Sequence, residues 1–72
     1  MSMYADLEFD IGFQIGKAVF QVNSHRKLFK MMKVKKVKEI EAVVNYPDLG
    51  MCITKFLVIG DGLYMAGRTQ IK

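Results

Sequence analysis

The 72-residue chain carries 11 Lys and Arg against 7 Asp and Glu, a net charge of +4, and 51% of its residues are hydrophobic. A chain this short makes one domain, residues 1–72, and buries only about 60% of its unfolded surface, so a disulfide, a metal or a partner subunit commonly supports such a fold. Cys52 and His25 are single residues of their kind, which excludes an internal disulfide and leaves a zinc site short of ligands; no metal and no cofactor is expected.

The opening MSMYADLEFD has neither a basic leader nor an apolar core, so it does not read as a secretory signal. The longest mainly apolar run, Met51 to Ile59, contains Lys55 and falls far short of the roughly 20 residues that span a bilayer. A cytoplasmic protein with no membrane partner is the expectation, and a lone thiol fits a reducing compartment.

Ala5, Leu7, Phe9, Ile11, Phe13 and Ile15 alternate with Asp6, Glu8, Asp10, Gly12, Gln14 and Gly16. Strict alternation predicts a strand with one wet face. The parity flips at Gly16-Lys17, after which Ala18, Phe20 and Val22 are the apolar set; a bulge or corner is expected there. Asn23-Ser24-His25 follows as a cluster of turn formers.

Two periods compete for the next stretch, RKLFKMMKVKKVKEIE from residue 26 to 41. On a helical wheel Leu28, Phe29, Met31, Met32, Val34, Val37, Ile40, Val43 and Val44 scatter all round, whereas an amphipathic helix needs one apolar stripe. At period two, Leu28, Met32, Val34, Ile40, Ala42 and Val44 share a face, with Lys33, Lys35, Glu39 and Glu41 opposite. The reading is therefore two strand segments over Lys27–Val44, meeting at a bend near Lys35–Lys38. Tyr46-Pro47-Asp48-Leu49-Gly50 is a turn. Met51 to Ile59 is apolar at both parities, which suits an interior strand or a subunit interface. Gly60-Asp61-Gly62 predicts a hairpin into Leu63-Tyr64-Met65, and Arg68 to Lys72 supplies a short closing strand. The expected fold is all-β: a five- to six-stranded SH3-like barrel or a strongly bent antiparallel sheet.

The charge is uneven. Residues 23–38 hold Arg26, Lys27, Lys30, Lys33, Lys35, Lys36 and Lys38 with no acid, while the flanking segments are slightly negative. Such an island can neutralise phosphates in a salt-sensitive, sequence-blind way. It also suits an acidic protein surface. The bland alternative pairs Lys33 and Lys35 with the Asp6, Glu8 and Asp10 ladder of the first strand, leaving a solvated face. Phe29 is the one aromatic within the island, and it fits either base stacking or core packing. His25 reads as a solvated turn histidine and Cys52 as a buried, inert thiol. The spacing of Gly60, Gly62 and Gly67 matches no phosphate loop. Met31, Met32, Met51 and Met65 serve equally as core filler or adaptable contact surface.

FQIGKAVFQV followed by MKVKKVKEIE resembles the opening of many SH3-like barrels, with Gly16, Val19, Val22, Val34, Val37 and Ile40 at the matching positions. That resemblance implies a small barrel. It carries no functional residues, since such barrels bind peptides or nucleic acids, build phage particles or act as small inhibitors. The expected function is a non-enzymatic, phage-type binding protein that docks on and inhibits or modulates a host protein. Nucleic-acid binding through residues 26–38 is the alternative. Self-association is expected through Met51, Ile53, Leu57 and Ile59, which makes the protein a homo-oligomer.

Overall fold

Residues 10–71 are described by the computed structural model. Ala5, Leu7 and Phe9 of the predicted first strand, and its Asp6 and Glu8, lie outside them. The alternation from Asp10 onward is realised as strand β1 (Asp10–Ile15), with Ile11 and Phe13 buried. Gly16-Lys17 is a two-residue hairpin turn in place of the expected corner: Ile15 pairs with Ala18 as β2 (Ala18–Val22) runs back antiparallel. Gly16 sits at φ +62°, a conformation closed to most residues and favoured at the first position of a tight hairpin turn. Two inserted residues also account for the parity flip, because Phe20 opposes Phe13 across the hairpin and their rings stack at 5.5 Å.

Residues 25–35 form a helix, α1 (His25–Lys35), which corrects the two-strand reading of this stretch. Ser24 caps its start, its Oγ accepting from the Lys27 amide at 3.2 Å. At the other end Lys36 adopts the left-handed conformation at φ 59°, and the Val37 amide donates to the Met32 carbonyl at 2.9 Å. Together with the Lys36 amide on Lys33 O, these bonds make a Schellman stop. Within these limits His25, Leu28, Phe29 and Met32 fall at i, i+3, i+4 and i+7, one helical face. The scattered wheel came from a window that ran past residue 36 into a strand: Val37, Ile40, Val43 and Val44 belong to a different period.

Strand β3 (Glu39–Tyr46) alternates perfectly, burying Ile40, Ala42, Val44 and Tyr46. The Pro47-Asp48-Leu49 turn, closed by Gly50 at φ +75°, leads into β4 (Gly50–Ile59). Gly60 (φ +58°) and Asp61 make the second tight hairpin turn, into β5 (Gly62–Gln70). One strand thus replaces the two short segments expected there, with Ala66 as the extra residue of a bulge opposite Lys55 and Phe56.

The all-β expectation is met by five antiparallel strands in one sheet, ordered β2-β1-β3-β4-β5. The sheet is open: β2 and β5 are its edges, so the barrel alternative is not realised. Of the positions carrying the barrel resemblance, Val34 lies in α1 and Val37 in the link after it. α1 covers one face of the sheet. The core between them contains Ile11, Phe13, Leu28, Met32, Ile40, Ala42, Val44, Cys52 and Phe56, each large aliphatic or aromatic side chain contributing about 1.5–3 kcal/mol by leaving water.

Candidate binding surfaces

Two layers give the molecule two unlike faces. The first belongs to α1. Burial of Leu28 and Met32 against the sheet turns the opposite side of the helix to solvent, where Arg26, Lys30 and Lys33 recur at i, i+4 and i+7 as one stripe. Lys27 and Val34, the latter 71% exposed, lie beside that stripe. Lys35 ends the helix, and Lys36 and Lys38 follow it. α1 has no acidic residue in its first turn, where Arg26 and Lys27 stand instead. Positive charge there opposes the helix dipole at a cost of a few tenths of a kcal/mol each.

The predicted ladder of Lys33 and Lys35 against the first strand's acids does not form among the described residues. Asp10 pairs with Asn45 on the face opposite α1, while both lysines belong to the helix. Lys33 instead reaches Asp61 of the β4–β5 turn, at 3.3 Å and in solvent. Of the seven cations it alone has an ion pair among the described residues. Its ammonium also stands 5.3 Å from the Phe29 ring centre, and Lys35 stands 5.2 Å from that of Phe20. Phe29 is half-buried at the edge of the stripe, so it serves packing and still borders the cationic surface.

The predicted turn histidine is in fact the first residue of the helix, half-buried and 5.6 Å edge-on from the Phe56 ring. Burial pushes its pKa below the ordinary 6.5, because the charged imidazolium loses hydration there. Cys52 is fully buried, as expected of an inert thiol. Of the methionines within the described residues, Met32 is core, Met31 half-buried, and Met51 and Met65 exposed.

The second face is the side of the sheet away from α1. The double apolar parity of Met51 to Ile59 resolves into two surfaces. Cys52, Thr54 and Phe56 point into the core, while Met51, Ile53 and Ile59 are exposed and Leu57 half-buried on the open side. Strand register adds three residues that sequence reasoning missed. Val43 opposes Ile53, Tyr64 opposes Leu57, and Ile71 hydrogen-bonds to Met51. Crossing this apolar surface, Lys55 is placed opposite Glu41 in the register and binds Glu39 diagonally at 3.5 Å.

A third cluster lies near β5 on the helix side. The buried Tyr46 hydroxyl and Thr54 Oγ1 are 2.9 Å apart, and Arg68 stacks over the Tyr46 ring at 4.7 Å. Through Tyr46, Thr54 and Arg68 this cluster ties β3, β4 and β5 together.

Among the described residues no group of three or more His, Cys, Asp or Glu is placed to hold a metal ion, and no helix is long and apolar enough to cross a membrane. No protein-family model matches the chain, and neither the curated proteins nor the solved structures include a match to it.

Proposed function

We propose that the chain is a non-enzymatic binding protein, of the kind phages and mobile elements encode, that modulates a host protein by occupying an acidic surface with α1. One observation carries this reading: Arg26, Lys30 and Lys33 form the solvent side of one capped helix, with Lys27 beside them and Lys33 alone of the island's seven cations ion-paired among the described residues. A self-neutralised lysine ladder has no surplus to offer a ligand; this helix does. Retaining Arg26 and Lys27 at the positive end of the helix dipole costs stability, and a partner's carboxylates would offset that cost. Exposed Val34 supplies an apolar contact inside the charged rim, the arrangement common at protein interfaces.

The test is retention of host-lysate proteins on the immobilised chain, compared with Arg26→Glu/Lys30→Glu/Lys33→Glu. The expected result is a protein held by the wild type, released at high salt and absent from the variant. A set of retained proteins identical for the two would refute it.

A second reading is favoured by the same stripe. A helix of 11 residues with Arg26, Lys30 and Lys33 on one side can lie along a nucleic-acid backbone, where lysines act as sequence-blind point charges. Labelled duplex should then bind with an affinity that drops steeply between about 50 and 200 mM salt. Absence of binding at the lower salt removes this alternative.

A further inference from the structure

The open face of the sheet has a property that an ordinary wet sheet face lacks. Met51, Ile53, Ile59 and Tyr64 are between 43% and 60% exposed there, with Val43, Leu57 and Ile71 around them. Half-wet sheets normally alternate apolar-in with polar-out, and β3 obeys that rule at Glu39, Glu41 and Asn45. β4 breaks it on its outer side at four positions in five, with Lys55 the exception. We infer that this face is the interface of a homodimer, covered by the same face of a second copy of the chain.

Three features point to a second copy as the occupant. The first is size. The molecule measures 34 × 30 × 19 Å, and its two stacked layers account for the short axis. The sheet face therefore offers at most about 1,000 Å², against about 800 Å² per partner in a stable interface. A copy of the same dimensions fills it without overhang.

The second feature is charge. Glu41 and Lys55 are directly opposed in the β3–β4 register, yet the Lys55 ammonium goes to Glu39 and leaves Glu41 without an ion pair among the described residues. Consider a two-fold axis that runs along the strands between β3 and β4. It lays each copy's β4 over the other's β3, so each Lys55 meets the opposite Glu41. The pairing is reciprocal, as a self-complementary interface requires.

The third feature follows from the same operation. Val43 and Ile53 are also directly opposed in the register, so the axis sets each Ile53 over the opposite Val43. The apolar and charged contacts are thus satisfied by one symmetry element, which keeps the two sheets near the aligned packing of β-sandwiches. α1 faces away on both copies. The dimer would present two cationic helices on opposite sides and leave the proposed docking surface uncovered.

The inference is tested by sedimentation equilibrium of the full chain between about 1 and 100 µM, a range in which mass action resolves micromolar dimers. The expected result is a dimer that Ile53→Asp weakens by about a hundredfold or more, as for a central apolar contact. Because Ile53 is solvent-exposed in the single copy, its far-ultraviolet circular dichroism should remain that of the wild type. Lys55→Glu should also weaken the dimer, and adding Glu41→Lys in the same chain should restore it. A wild-type monomer at the highest concentration overturns the inference. So does a dimer that Ile53→Asp leaves intact, since its interface then lies elsewhere.

Discussion

Lys27→Glu should stabilise this protein, although it removes one of the charges assigned to binding. Lys27 is the third residue of α1 after its cap, and its amide is the one that Ser24 Oγ holds at 3.2 Å. The sequence Ser24-His25-Arg26-Lys27 therefore lacks a capping box only in its last residue, since glutamate there reaches back to the cap's own amide. The substitution removes a cation from the positive end of the helix dipole and installs an anion, each change contributing about 0.3–1 kcal/mol. Against Lys30, three residues on, a repulsion becomes an attraction of about 0.2–0.5 kcal/mol. All these groups are exposed, so the low end applies and the net gain is about 1 kcal/mol. For a domain of this size that raises Tm by roughly 4–8 °C. Thermal unfolding followed by circular dichroism at low ionic strength reads the shift, and the part due to charge should shrink as salt screens it. The same variant should hold its acidic partner less well. An unchanged or lowered Tm at low salt would contradict the account, because residues 26–27 would then not form the first turn of a helix.

Three further outcomes follow from the core. Thr54→Val, which removes the 2.9 Å Tyr46–Thr54 hydrogen bond, should cost about 0.5–1.5 kcal/mol, and Thr54→Val/Tyr46→Phe less than the sum of the singles; urea unfolding of the four proteins checks it, and strict additivity would mean the contact contributes nothing. Leu28→Ala should cost about 2–5 kcal/mol, comparable with the whole stability of a small domain, and so flatten the cooperative unfolding transition; a variant as stable as the wild type would mean α1 is not packed on the sheet. Because burial lowers the His25 pKa in the folded state, the unfolded chain takes up the proton first as pH drops below about 6.5, the ordinary histidine value. Stability from this group is fully present above that pH and declines as pH falls toward the depressed value, so urea midpoints at pH 7.5 and 5 should differ by less in His25→Gln than in the wild type.

Much of this architecture was legible in the residues themselves. Alternation marked β1 and β3, and the glycine-bearing turns at Gly50 and Gly60 divided the strands, because a two-period pattern and a positive φ are local properties that few residue types satisfy. Gly16 stands out in the same way but suggests a corner, where it makes a hairpin turn. α1 was missed because its 11 residues end at Lys36, a left-handed position usually held by glycine. Without that punctuation, the helical period ran unmarked into the strand period of β3. The available signal was Ser24 as cap, followed by apolar residues at 28, 29 and 32.

By itself, then, the sequence determined the predominance of strands, the turns after β3 and β4, the location of the cationic island and the double apolar character of β4. Only the tertiary structure decided what those features face. Residue 53 and residue 52 are equally apolar neighbours, yet Cys52 is fully buried and Ile53 is 43% exposed, because one helix covers one side of an open sheet and nothing in a single strand says which. The lysines changed meaning for the same reason. A helix collects Arg26, Lys30 and Lys33 on one side and carries them away from Asp10, so their charge is directed outward.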